Sequence, residues 1–282
     1  LNLDSISGTL CHKTFFNIME DLNLSIVVFT RSTPDTAAKV EVDGSGSVTW
    51  GDAATVVNPW DEYALEEGIV QAKNAGGKST VIALGGEMHN DALKHALAMG
   101  LDEAVRVEDG ALNPADALAY ATTAAAAVNK VGDVKLVIFG KESIDVGTDQ
   151  HAYATARKLG WTLLSYVSKI VEIDTASNTI KVEQLYEQGK QVTTASLPAV
   201  ITVTKEINEP RYPSFIGIRK ASKATIPVWS LADLGVEAPA ETVKTVSVSN
   251  LPVRDVKTEI ITGTPEEQAR ILVDKLLEEK VL

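Results

Sequence analysis

Two segments of the chain collect the groups that could hold a phosphate. In one, Gly85-Gly86 closes an apolar run; in the other, Gly140 leads through Lys141, Glu142, Ser143, Ile144, Asp145, Val146 and Gly147 to Thr148, Asp149, Gln150 and His151. Glycine lets a backbone approach a ligand closely. Thr148 stands where a helix N-cap would fall, with Gln150 and His151 in the first turn. A hydroxyl, an amide and an imidazole would then meet at a helix N-terminus, whose free N–H groups and dipole favour an anion. Ordinary strand-to-helix turns use the same residue types. The chain has neither the Gly-x-Gly-x-x-Gly fingerprint nor a Walker A loop to decide between the two readings.

Other constellations fail on spacing. His89 and His95 are six residues apart, not the three or four that place two ligands on one helix face, so they read as surface histidines. Asp61, Glu62, Glu66 and Glu67 open a helix, where acidic side chains complement the dipole. Cys11 has no motif around it and, as the single cysteine, no internal disulfide partner. Without a catalytic or metal-ligating set, the residues favour a binding or carrier protein over a hydrolase.

The elements that would carry these loops alternate. Apolar runs at 25–30, 79–84, 104–107 and 134–139 are separated by helical patterns at 61–75, up to Met99, and from Asn113-Pro114 to Gly132. Strand and helix in alternation, with runs apolar almost throughout, predict a doubly wound α/β fold whose mostly parallel sheet is covered on both faces. In such sheets ligands bind beyond the carboxyl ends of the strands, which directs attention to the loops after Thr30, Leu84, Val107 and Phe139. After Gly160 the grammar changes: 167–173 and 180–185 alternate around a turn and 191–195 offers a third antiparallel strand, before the apolar run 197–203 returns to the main sheet. Residues 231–263 show no clear elements, as expected of an extended arm crossing a partner or of weakly patterned edge strands. Thr264, Pro265 and Glu267 then open a last helix with Ala269, Leu272, Val273 and Leu276 on one side. The domain reading is an extension over 1–22, with Met19 an alternative start, an α/β domain over 23–230 and the arm over 231–282.

Of the 282 residues 45% are hydrophobic, enough for a sizeable core, and the formal net charge of −12 disfavours nucleic acid. No stretch is apolar enough for direct membrane insertion. The first 22 residues fit neither a secretory signal nor a transit peptide, which points to the cytoplasm.

Five segments, in order, resemble electron transfer flavoprotein β subunits. They are Asn58-Pro59-Trp60-Asp61-Glu62-Tyr63-Ala64-Leu65-Glu66-Glu67, the run 96–102, Gly140-Lys141-Glu142-Ser143-Ile144-Asp145, the run 197–202, and Asn208-Glu209-Pro210-Arg211-Tyr212-Pro213-Ser214. The resemblance covers residues 24–227 and implies an adenine-nucleotide-binding, Rossmann-like fold. It also implies a heterodimer with an α subunit that carries the redox FAD and is embraced by the C-terminal arm. Electrons would pass from flavin-dependent dehydrogenases toward the respiratory chain through a quinone oxidoreductase. By position, Trp60 matches the aromatic that touches the flavin edge, while Thr36 replaces a second aromatic. Val28, Asn58, Ile82, Leu84, Asp145, Thr148, Asp149, Gln150 and His151 match positions lining the AMP site. Phe215 occupies the place of a leucine that anchors dehydrogenases, with Ile216 beside it and Arg211, Arg219 and Lys220 as a basic rim.

The family's Asp-Asp-Asp-Ser-Asn-Gln-Thr run reads Asp145-Val146-Gly147-Thr148-Asp149-Gln150-His151 here. Asp149 in place of Asn brings a negative charge to the phosphate unless it turns away or a cation pairs it. Bifurcating relatives hold a second FAD at this site; their Asp-Gly-Asp-Thr-Ala-Gln-Val-Gly run is not intact either, and the motif from Asn208 to Tyr212 favours the simple carrier. A stand-alone nucleotide sensor or an adenylating enzyme is the rival class, although Leu84-Gly85-Gly86-Glu87-Met88 lacks the hydroxyls of an adenylating phosphate loop.

Overall fold

The computed structural model describes residues 24–252 and 258–281. The expectations about residues 1–22, including Cys11 and Met19, lie outside the described residues.

The strands are β1 (Ser25–Phe29), β2 (Ser32–Pro34), β3 (Glu41–Val42), β4 (Val48–Thr49), β5 (Thr55–Val57), β6 (Lys78–Leu84), β7 (Glu103–Val107), β8 (Val134–Gly140), β9 (Thr162–Asp174), β10 (Thr179–Tyr186), β11 (Gly189–Ser196), β12 (Ala199–Val203) and β13 (Val228–Trp229). The helices are α1 (Pro59–Asn74), α2 (Asn90–Met99), α3 (Ala117–Val131), α4 (Gln150–Leu159), α5 (Phe215–Ala221) and α6 (Pro265–Glu278). One nine-stranded sheet runs in the order β11-β10-β9-β12-β8-β1-β6-β7-β13. From β9 to β13 every neighbouring pair is parallel, and β9, β10 and β11 form the antiparallel ribbon.

The apolar runs work as the sequence predicts. Along β1, Ile26 and Val28 pack on one face while Val27 and Phe29 pack on the other, and in β8 Leu136 and Ile138 are divided from Val137 and Phe139 the same way. Leu65 and Ile69 of α1 and Leu93 and Ala96 of α2 cover the first face. Ala124 and Val128 of α3 and Ala152 and Ala156 of α4 cover the second. The fold is therefore α/β, doubly wound and Rossmann-like. Gly68 lets α1 lie close to the sheet: a Cβ there would meet Val28 Cγ2 at 2.4 Å.

The start of α3 departs from expectation. Asn113 and Pro114 belong to a preceding turn, in which Asn113 Oδ1 accepts from Ala115 N at 3.1 Å. Asp116 is the N-cap, its Oδ1 accepting from Leu118 N at 3.0 Å and Ala119 N at 3.2 Å. The same carboxylate binds a distant segment, accepting from Thr242 N, Thr242 Oγ1 and Val243 N at 2.6, 2.7 and 3.0 Å. The Thr242 hydroxyl, followed by these amides, holds its pKa far below the usual carboxylate range. Leu231 is buried and its amide donates to Asp109 Oδ2 at 3.2 Å. Residues 231–246 accordingly share a compact unit with residues 24–40 and 49–230.

A second unit comprises Glu41–Val48 and Ser247–Leu282. Within it, the amide of Asn250 stands in for a strand partner, exchanging two 2.8 Å bonds with the backbone of Val42. Helix α6 carries the expected capping box between Thr264 and Glu267. None of its residues is buried, and Leu272 and Val273 are about half exposed. No helix among the described residues is long and apolar enough to cross a membrane.

Candidate functional site

Strand order reverses at β1: the chain proceeds from β1 outward to β6 and β7, whereas β8 lies on its other side and leads toward β12 and β9. Such a switch point opens a crevice beyond the carboxyl ends of the two central strands. Here it is lined by Phe29, Thr30 and Arg31 at the end of β1 and by Phe139, Gly140 and the following loop at the end of β8. Asn58 and Asp61 at the start of α1, Tyr120 of α3 and His151 of α4 complete it. The crevice opens to solvent at its mouth, and its cavity measures about 40 Å³.

Local sequence explains how the walls are fixed. Asn58 is buried and pins the loop after β8, donating from Nδ2 to Glu142 O at 2.9 Å and accepting from Ile144 N at 3.2 Å. The loop folds on itself, Ser143 N donating to Thr148 O at 2.9 Å and Gly147 N to Ser143 O at 2.8 Å. Gly140 is needed because a Cβ would lie 2.4 Å from Asp61 Oδ1 and 2.7 Å from the Trp60 carbonyl carbon. Gly85 is needed because a Cβ would lie 2.7 Å from His89 Nε2. Both glycines therefore serve packing, where the sequence suggested close approach of a ligand. Asp149, rather than Thr148, is the N-cap residue of α4, and its side chain caps nothing. Thr148 Oγ1 accepts from Gln150 N at a long 3.3 Å.

An aromatic floor underlies the crevice. Phe29 and Phe139 stack with centroids 4.6 Å apart, and Tyr120 lies against His151 at 4.1 Å. Burial, followed by the positive charge of Arg31, lowers the His151 pKa to about 4, so the ring is neutral near pH 7 and offers a flat face rather than a cation. Asp61 is buried, its Oδ2 accepting from Arg31 N at 3.1 Å, and burial raises its pKa to about 7. Arg31 also donates from Nη2 to Asp145 Oδ2 at 2.7 Å.

Of the residues singled out from sequence, the crevice brings together Asn58, Thr148, Asp149 and His151, with Asp145 joined through Arg31. Val28, Ile82 and Leu84 lie in the core, and Gln150 is exposed at the helix start. Arg31, Asp61 and Tyr120 were missed. Arg31 was within reach, as a cation in a loop already marked by its place after a strand.

Two surface readings change. His89 is buried, with its pKa lowered to about 4 chiefly by burial, and its Nδ1 accepts from Ser32 N at 3.0 Å. Glu66 and Glu67, read as dipole partners, anchor a distant motif. Glu66 takes two 2.7 Å bonds from the Arg211 guanidinium, and Asn208 Nδ2 donates to Glu67 Oε2 at 3.0 Å and to Tyr63 O at 3.1 Å. Arg211 is thereby tied down and withdrawn from the basic rim expected around Phe215.

Trp60, in the first turn of α1, lines a separate groove with Tyr166, Tyr186 and Lys141, whose Nζ sits 4.9 Å from the indole centroid. Phe215, Ile216 and Arg219 lie on the short helix α5. Ser214 Oγ caps that helix, accepting from Gly217 N at 3.0 Å. Gly217 lets the helix press on α2, since a Cβ would meet Ala98 O at 2.2 Å. Tyr212, Phe215 and Ile216 are 95%, 84% and 80% exposed.

Residues 50–234 match the electron transfer flavoprotein domain. The chain is 35% identical over 261 residues to the electron transfer flavoprotein subunit beta of Clostridium acetobutylicum, covering 91% of this chain and 99% of that one. It is 34% identical over 218 residues to the protein FixA of Azorhizobium caulinodans, covering 76% and 78%. It is 32% identical over 270 residues to the caffeyl-CoA reductase-Etf complex subunit CarD of Acetobacterium woodii, covering 92% and 100%.

Proposed function

The chain belongs to the electron transfer flavoprotein family, and on that premise we propose that it is the β subunit of a heterodimeric electron carrier rather than an enzyme in its own right. It pairs with an α subunit through the arm over 231–282, whose helix α6 buries nothing within its own unit. In the pair it holds AMP structurally and helps to hold the FAD carried by the α subunit. Electrons arrive from flavin-dependent dehydrogenases and leave toward the respiratory chain through a quinone oxidoreductase. The setting is the cytoplasm.

The observation that carries this reading is the crevice at the switch point, where a guanidinium, an uncapped helix start and a neutral aromatic floor converge. Those groups fit an adenine mononucleotide: Arg31 and the first N–H groups of α4 suit a phosphate, and the floor suits a base. The second reading, a bifurcating β subunit with FAD in the crevice, draws support from the relative named as part of a reductase complex. The FAD shared with the α subunit supplies the electron-carrying chemistry when bound. This chain contributes Trp60, half-exposed and backed by Lys141, as an aromatic against the flavin edge.

Trp60→Ala tests that contact. In the complex it is expected to shift the flavin absorption envelope and to speed loss of FAD on dialysis roughly tenfold or more, about the size of a truncated interface aromatic. AMP content stays at the wild-type level, because Trp60 does not line the crevice. An unchanged spectrum and unchanged FAD retention would return Trp60 to a packing role.

A further inference from the structure

The crevice already contains an anion of its own. Arg31 is the only cationic side chain among the described residues that line it, and its Nη2 holds Asp145 Oδ2 at 2.7 Å. Its Nε is buried without a partner, so the guanidinium has donor capacity that one carboxylate oxygen does not use. The other oxygen of Asp145 accepts from Ser143 Oγ. Asp145 sits within the tight turn between Ser143 and Thr148, followed by Val146 and Gly147, both exposed, with Gly147 at φ +62°. Asn58 holds the base of this turn, while its tip is exposed, so the Asp145 side chain can rotate into solvent without the loop unfolding.

We infer that the Asp145 carboxylate is an internal gate on the nucleotide site, holding Arg31 until a phosphate monoester takes its place. The inference rests on the nucleotide reading given above. A phosphate presents two oxygens to a guanidinium fork and can engage both Nη2 and the idle Nε, whereas Asp145 engages Nη2 alone. Displaced, Asp145 swings into solvent at the turn, where its charge is hydrated. The gate also bears on the one acidic departure in this loop, Asp149 in place of Asn. With Arg31 already neutralised by Asp145, the second carboxylate, Asp149, faces the phosphate uncompensated; exchange of Asp145 for the ligand frees the guanidinium charge to offset it. Because the open state must be populated before phosphate binds, apparent affinity is reduced by its fraction.

The chain in complex with its partner subunit, freed of bound nucleotide, is titrated calorimetrically with AMP and, separately, with adenosine. Asp145→Asn keeps the turn's hydrogen bond to Ser143 but weakens the hold on Arg31, and should tighten AMP about tenfold while leaving adenosine unchanged. Arg31→Gln should weaken AMP tenfold or more, and the double variant should lose the gain given by Asp145→Asn. Arg31→Lys, which keeps charge without the fork, should fall between. If AMP binds the wild type but Asp145→Asn binds it equally or more weakly, or if the gain survives without Arg31, the gate is overturned and the nucleotide reading stands. If AMP binds neither the wild type nor Asp145→Asn, the nucleotide reading fails and the gate with it.

Discussion

Phe215→Ala is expected to weaken binding of the complex to its dehydrogenase about 30-fold, while FAD content and melting temperature stay near wild type. The magnitude follows from roughly 2 kcal/mol for truncating a hot-spot aromatic. The selectivity of the effect follows from the way α5 is built. Ser214 caps it, Gly217 presses it onto α2, and the Asn208–Arg211 segment before it is fixed to Glu66 and Glu67. The ring of Phe215 is 84% exposed, so its removal leaves no cavity. Tyr212 and Ile216 extend the apolar patch, and Arg219 and Lys220 form what remains of the basic rim once Arg211 is engaged by Glu66. Stopped-flow reduction of the heterodimer at limiting dehydrogenase concentration reads the effect. Wild-type rates, or a parallel loss of stability, would make the helix a structural feature only.

The second large effect concerns Asp61. Burial raises its pKa from 3.8 to about 7, so above pH 7 the folded protein carries a buried charge that the unfolded chain would hydrate. The gap corresponds to on the order of 4 kcal/mol. The sign is that of a raised folded pKa: the contribution to stability is full below pH 4 and is lost as the pH rises to about 7. His89 and His151 act oppositely. Their folded values near 4 lie below 6.5, so their contribution is full above pH 6.5 and is lost as the pH falls toward 4. In the wild type the two trends offset one another across the acidic range. Asp61→Asn keeps an acceptor for Arg31 N and removes the charge, and should raise the melting temperature by several degrees at pH 8. The gain should shrink steadily toward pH 4, giving the variant a steeper acid loss than wild type. Equal melting curves at pH 8 would mean that Asp61 is solvated or paired in the folded protein.

Where sequence reading succeeded, the deciding interactions were local or periodic. Runs such as Val134–Phe139 and 199–203 are apolar but for Lys135 and Thr202 because both faces of the sheet are covered, and Thr264 with Glu267 forms a capping box within one turn. Where it failed, the decisive partner lay far along the chain. Glu66 was read with Asp61 and Glu62 as part of an acidic helix opening, but it lies in the middle of α1, beyond reach of the dipole, and its partner Arg211 is 145 residues away. Asp116 caps α3 instead of Asn113 because it also meets Thr242, 126 residues on. His89 looked like a surface residue because nothing nearby announces that Gly85 and the Ser32 amide enclose it. The crevice at the switch point was half visible. The loop after β8 advertised itself by composition, but the cation opposite came from the end of β1, and only the strand order brings the two together.

The central claim is that this chain is the nucleotide-holding β subunit of a two-subunit flavoprotein carrier. The most direct test is the flavin and adenine-nucleotide content of the chain co-purified with its α subunit, released by denaturation and quantified. One FAD and one AMP per heterodimer is the predicted result. A folded chain that remains alone and binds neither, or a pair that yields no flavin, would contradict the claim; two FAD and no AMP would move the assignment to the bifurcating branch.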